Sequence, residues 1–401
     1  MTRIGWYRTF TVVHRYLGLF TLIFLLSAAV TGCVLIFFNQ LDANINPDLY
    51  RAVGAGPTLS ASRLAAIVER NHPNIMVASL PLHVDPRQNV LMRVIGRSYH
   101  SIGFNEVFVD PHTGSVVGRR DDESIKLDRH HLMPLIYLFH FELLGGTPGR
   151  WLMGIVALLW LIELIVGFYL TIPQRRPFWR QWKNSWKIRR PRKLLSFLLD
   201  VHRAIGLWLL PGLVVLAVTG FALNFYYEAV QPVVLAISPR DPSPLYLPGH
   251  NSAAAKEPTL GFAKAVQLGK VEAARLHPAL KAAFVTYDPL HGVYGVNFTP
   301  TGRQVYRDSG PVAYYFDDQS GRFVVADDPT RDSAGQALLR TIFPLHSGQI
   351  AGPASETFVF LLGLSIVGMC VSGLIMWWRR RPVSTSRRHG KSVSSTESPR
   401  T

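Results

Sequence analysis

Residues 14–32 read HRYLGLFTLIFLLSAAVTG and residues 202–220 read HRAIGLWLLPGLVVLAVTG; the stretches stand 188 positions apart and share ten of nineteen residues. Each is an apolar helical run opened by His-Arg and closed by Val-Thr-Gly. A single histidine at the mouth of an apolar helix is an ordinary interfacial residue, because imidazole tolerates both headgroups and water. A histidine that recurs in a repeated stretch calls for a repeated partner.

The rest of the 401-residue chain fits a membrane setting, with 48% hydrophobic and only 17% charged residues. Four apolar runs, 17–38, 150–172, 204–225 and 355–378, are each long enough at about 20 residues to cross a hydrocarbon core of roughly 30 Å. The net charge of +16 does not point to nucleic acid, because the basic residues cluster beside the spans. Nine Lys or Arg and no acid lie in residues 173–193, Arg3, Arg8 and Arg15 flank the first span, and Arg379, Arg380 and Arg381 follow the last. The positive-inside rule then places both termini in the cytoplasm and the connections 39–130 and 227–335 outside. The two cysteines, Cys33 and Cys370, both fall inside spans, so the outer segments carry no disulfide framework. There is no C-x-x-C-H, which excludes covalently attached haem. Val30-Thr31-Gly32-Cys33 resembles a lipoprotein cleavage box, but the apolar run continues to Phe38, longer than a signal segment.

A second repeat joins the other two spans at an offset of 206: His140, Gly146 and Gly167 match His346, Gly352 and Gly373. The outer segments match as well, since VFVDPHTGSVV (107–117) resembles YYFDDQSGRFVV (314–325), both hairpin patterns. Before each hairpin comes a helical pattern, 60–73 and 263–278, closed by His-Pro. The fold class expected is an α-helical membrane protein, four transmembrane helices arising as a tandem two-helix duplication, with two outer α+β domains. Its segments are 1–38 with the first span, 39–130 as the first outer domain, and 131–172 as a His-bearing segment with the second span. They continue as 173–196 (basic loop), 197–226 (third span), 227–335 (second outer domain), 336–380 (His-bearing segment and fourth span) and 381–401 (a disordered tail). The basic loop mixes Trp with Lys and Arg, which suits an interfacial segment on anionic lipid.

This topology places His14 and His202 at the cytoplasmic ends of spans one and three, and His140 and His346 at the outer ends of spans two and four. Two imidazoles facing each other across a bundle suit an axially ligated haem, whereas structural zinc wants four ligands. Gly18 and Gly32 share the His14 face of one helix, as Gly206 and Gly220 share that of His202, and glycine beside a ligand clears room for a macrocycle. Gly32 stands about 27 Å along the helix from His14; close packing of helices through small residues is the competing explanation. Arg15 and Arg203 could pair with haem propionates or serve as topogenic charge. Glu163 is the acid set well inside a span, a functional candidate by default.

These motifs, H-R-x-x-G opening spans one and three, L-F-H and P-L-H before spans two and four, and the helix-plus-hairpin outer segments, resemble the PepSY-associated transmembrane proteins. Within that family the likeness is greatest to inner-membrane ferric-siderophore reductases of the ferrioxamine type, over residues 1 to about 382. The resemblance implies a bacterial inner-membrane oxidoreductase with two b-type haems and two periplasmic PepSY-like domains, reducing ferric hydroxamate siderophore in the periplasm and releasing Fe(II). The axial ligands it implies are His14 and His202 on the cytoplasmic side and His140 and His346 on the periplasmic side. His130 and His131, which have no counterpart at offset 206, are alternates. No G-x-G-x-x-G follows a strand, so a separate cytoplasmic or quinol donor is implied. A haem-free regulator whose outer domains bind peptides or a protease would explain the outer domains and leave the four histidines unexplained; a permease sits poorly with so few spans.

Overall fold

A computed structural model describes residues 3–97, 101–189, 193–240, 257–304 and 309–379. The tail 381–401 expected to be disordered lies outside the described residues, as do Arg380, Arg381 and positions 190–192 of the basic loop.

The helices in chain order are α1 (Arg3–Leu35), α2 (Phe38–Ile45), α3 (Pro47–Tyr50), α4 (Ala61–Asn71), α5 (Leu132–Glu142), α6 (Gly146–Thr171) and α7 (Phe178–Trp182). After them come α8 (Leu194–Trp208), α9 (Leu210–Asn224), α10 (Gln231–Ile237), α11 (Phe262–Leu276), α12 (Ala334–Ser347) and α13 (Pro353–Arg379). Three of them, α1, α6 and α13, are each long and apolar enough to cross a membrane alone. Hydroxyls on these helices find acceptors on their own backbone, as where Thr31 Oγ1 donates to Ser27 O at 2.7 Å, because hydrocarbon offers none.

The third span expected as one straight helix is instead a pair, α8 and α9, bent by 70°. The cause is Pro211, second residue of α9: it has no N–H, and its ring would meet the carbonyl one turn earlier. The corresponding position of the first repeat, Ile23, leaves α1 unbroken. Around the bundle, α1 packs on α6 and α13, α6 on α9, and α13 on α8, so α1 and the α8–α9 pair stand diagonally opposite. Ala29, Leu164, Leu213, Leu216, Leu362 and Ile366 form the buried apolar centre.

The two helices that carry His140 and His346 do not span. α5 ends where Leu143 and Leu144 take left-handed backbone, with φ of 54° and 58°, and α6 then turns back into the bundle. α12 starts on Ser333, whose Oγ accepts from Gln336 N, and stops at Gly348, φ 79°. His140 and His346 therefore ride on short helices of their own rather than on the ends of spans two and four.

The outer segments form β1 (Ile75–Pro81), β2 (Val90–Gly96), β3 (Glu106–Val109), β4 (Val116–Arg120), β5 (Lys281–Asp288), β6 (Val293–Thr299), β7 (Val312–Asp317) and β8 (Phe323–Asp327). Both expected hairpins are present. In the first, Asp110 Oδ1 accepts from the backbone N–H of His112 and Thr113, both at 2.9 Å, and Gly114 takes φ 77°; Asp317 and Gly321 repeat the device.

The two segments share one antiparallel sheet of order β4-β3-β2-β1-β5-β6-β7-β8, where two separate α+β domains were expected. The seam pairs Ser79 with Thr286, Leu80 with Val285 and Pro81 with Phe284. Two four-stranded sheets would each present an unpaired edge, and pairing β1 with β5 removes both. A common core runs beneath α4 and α11, from Leu64 and Val68 through Val77, Leu80 and Val285 to Val296 and Tyr314. The fold is thus three long apolar helices and one bent pair, with an eight-stranded α+β part joined at the end opposite the basic loop.

Where α2 meets the sheet, a charged cluster is buried. Arg120, 3% exposed, bonds Asp42 Oδ2 at 2.8 Å and Glu106 Oε2 at 2.7 Å. Tyr50 OH donates to Asp42 Oδ2 at 2.6 Å, Asn46 Nδ2 donates to Asp42 Oδ1 at 2.7 Å, and Arg120 Nη1 also reaches His130 O at 2.9 Å. The cluster ties α2 to the strands and to the start of α5, and burial together with the Asp42 carboxylate pushes the Tyr50 phenol well above its usual range.

Candidate functional site

At the basic end of the bundle, His14 of α1 faces His202 of α8, with ring centres 6.4 Å apart and planes at 78°. At the sheet end, His140 of α5 faces His346 of α12, with ring centres 6.3 Å apart and planes at 61°. The structure so groups the four candidate ligands in two pairs. The levels are set by α1, which carries His14 and, 18 residues on at about 27 Å, the Gly32 that touches His140.

Each ring lies on a glycine of a neighbouring helix. A Cβ at Gly32 would stand 3.1 Å from His140 Cε1, and one at Gly167 3.2 Å from His14 Cε1. The corresponding distances are 3.5 Å for Gly220 and His346, and 3.7 Å for Gly373 and His202. Beside three of those glycines stands a hydroxyl: Thr31 Oγ1 is 3.0 Å from His140 Nδ1, Thr219 Oγ1 3.0 Å from His346 Nδ1, and Ser372 Oγ 3.0 Å from His202 Nδ1. Every one of these hydroxyls already gives its proton to its own helix, Thr31 to Ser27 O at 2.7 Å, Thr219 to Val215 O at 2.7 Å and Ser372 to Met369 O at 3.0 Å. The hydroxyl oxygen can then only accept, so Nδ1 carries the hydrogen and Nε2 keeps a free lone pair. None of the four Nε2 atoms makes a hydrogen bond among the described residues.

An imidazole Nε2 with a free lone pair can serve as a metal ligand. Ring centres 6.4 and 6.3 Å apart leave room for one metal ion between the imidazoles of each pair, at metal–nitrogen bonds of about 2.0 Å. Among the described residues no group of three or more His, Cys, Asp or Glu gathers to hold a bare ion. Two axial nitrogens without further protein ligands fit a metal whose remaining positions a macrocycle fills, and the hydroxyls match the outer hydrogen bonds that orient such ligands.

The other candidates fall elsewhere. Gly18 and Gly206, expected to clear a macrocycle, clear side chains instead: a Cβ at Gly18 would stand 2.5 Å from Glu163 Oε1, and one at Gly206 3.4 Å from Met369 Cε. Arg203, expected to meet a propionate, is held by Asp200 Oδ1 at 3.1 Å and Asn184 O at 3.0 Å; Asp200, which Arg189 also bonds, was not anticipated. Arg15 is exposed and has no polar partner among the described residues. His130 bonds Asp48 Oδ2 at 2.8 Å and His131 bonds Asp128 Oδ1 at 2.7 Å, so both stand apart from the pairs. The bond from His131 holds the Asp128 carboxyl below the usual carboxylate range. Thr31, Thr219 and Ser372 were missed as partners, although Val-Thr-Gly closes both copies of the opening repeat.

The family model for the PepSY-associated TM region matches residues 11–380. No curated protein matches the chain.

Proposed function

The chain belongs to the PepSY-associated transmembrane family, and from that premise we propose that it is a di-haem reductase carrying electrons across the bacterial inner membrane. The observation that carries the reading is the double one of facing imidazoles, 6.4 and 6.3 Å between ring centres, with three of the four Nδ1 atoms facing hydroxyls. His14 and His202 hold one b-type haem at the cytoplasmic side, and His140 and His346 hold the other at the periplasmic side. Haem supplies a one-electron couple at iron. Thr31, Thr219 and Ser372 orient three of the ligands, and Ala29, Leu164, Leu213 and Leu362 keep water from the interval between the pairs. The recurrence of helix, four strands and His-bearing helix in each half supports a tandem duplication.

The acceptor in this proposal is a ferric hydroxamate siderophore in the periplasm, released of its iron as Fe(II); a cytoplasmic protein or a quinol supplies the electrons. Supporting the acceptor is the likeness of the His-Arg and Leu-Phe-His motifs to ferrioxamine-type reductases, and supporting the direction is the basic loop at the far end from the sheet. Protein purified in detergent from haem-replete cells should be red, with a low-spin spectrum and two haems per chain by pyridine haemochrome. A colourless preparation ends the proposal.

A further inference from the structure

His14 is the exception among the four candidate ligands. Thr31-Gly32, Thr219-Gly220 and Ser372-Gly373 each offer their histidine a hydroxyl and a flat place to lie, but the fourth pair is Val166-Gly167. His14 Nδ1 is buried and has no side-chain hydrogen-bond partner, the Glu163 backbone carbonyl being the main-chain acceptor on its side. The side-chain acceptor at hand is Glu163, one turn before Gly167, with Oε1 3.8 Å from that nitrogen. The Glu163 carboxylate is itself placed: Thr21 Oγ1 donates to Oε2 at 3.0 Å, and Oε1 occupies the space left by Gly18. At the equivalent position of the other half stands Met369, packed beside Gly206 and offering His202 no such oxygen.

A carboxylate in the membrane interior carries a desolvation penalty that a methionine avoids, and here it lies beside the one ligand whose Nδ1 lacks a hydroxyl. We propose that Glu163 is the positioning residue of His14 and sets the reduction potential of the cytoplasmic-side haem below that of the periplasmic-side haem. The inference rests on the di-haem reading. An oxygen of Glu163 accepting from Nδ1–H fixes the ring and strengthens the ligand as an electron donor, as carboxylate partners of metal-bound histidines do. Stronger donation favours the oxidised metal and lowers the potential. The neutral hydroxyls at the other three ligands exert a weaker pull. Electrons arriving from the cytoplasm would then move to the site of higher potential.

The test compares wild type, Glu163→Met and Glu163→Gln, purified in detergent, by haem content and by spectroelectrochemical titration at one pH. Wild type should show two resolved midpoints. Glu163→Met should keep two haems, raise the lower midpoint and leave the upper unmoved; Glu163→Gln, which retains a neutral acceptor, should fall between. Unshifted midpoints in either substituted protein with both haems present, or equal shifts of both, overturn the proposal while leaving the di-haem reading intact. Should Glu163→Met fail to accumulate, Glu163→Gln decides alone. Absence of haem from wild type overturns the di-haem reading itself.

Discussion

At the scale of the residue, the site is specified by what stands one position before each glycine and by how near that glycine lies to an imidazole. A Cβ on Gly32 would come within 3.1 Å of His140, whereas one on Gly373 would sit at an ordinary 3.7 Å from His202. Gly32→Ala should therefore displace His140 and alter the absorption of the periplasmic-side haem, while Gly373→Ala leaves the spectrum unchanged; equal effects from both would contradict the packing. The quoted repeat brought out Gly32 and Gly220, while Thr31 and Thr219, in the same Val-Thr-Gly triplets, were missed as partners. Ser372 stayed hidden because its half matches the other at few positions and Val166 replaces it there. Gly18 and Gly206 show the limit of spacing arguments: helical periodicity gives the face a residue occupies, not which side chain of another helix fills the space before it.

At the scale of the element, the hairpins were legible because Asp110 with Gly114 and Asp317 with Gly321 encode their turns locally. The β1–β5 seam was not, since pairing between strands 200 residues apart leaves no local mark in either. The bend between α8 and α9 follows from Pro211, yet hydropathy alone read straight through it. The buried Asp42–Arg120–Glu106 cluster joins elements in the same long-range way, fastening α2 to β3, β4 and the start of α5. Deleting one partner of a buried ion pair leaves a charge without compensation, a loss of about 3–5 kcal/mol. Asp42→Ala should lower the thermal midpoint of the outer α+β part, followed by tyrosine fluorescence, far more than Asp85→Ala on the surface. Because α5 begins at this cluster, the periplasmic-side haem should be the one lost first on heating Asp42→Ala protein.

At the scale of the whole molecule, the ligands of the two pairs come from different helices, His14 and His202 from α1 and α8, His140 and His346 from α5 and α12, so the proposed haems should be separable. His14→Ala or His202→Ala should remove one haem and His140→Ala or His346→Ala the other, with distinct difference spectra; one shared loss from His14→Ala and His140→Ala would refute the pairing. Reduced protein in sealed vesicles should be oxidised by an impermeant ferric siderophore only when the sheet faces the added acceptor, and equal rates in both orientations would refute outward transfer.

The spacing along α1 between His14 and Gly32, about 27 Å against a hydrocarbon core of roughly 30 Å, means that nearly all of a transmembrane voltage falls between the two pairs. On the proposed outward transfer, one electron crossing that interval would be a current, and with the interior negative it would run down the field, gaining about 2.3 kcal/mol per 100 mV. A potassium-diffusion potential imposed with valinomycin on right-side-out vesicles should accelerate siderophore reduction when negative inside and slow it when reversed. Iron release would then draw on the same electrical gradient that the cell maintains for transport and ATP synthesis.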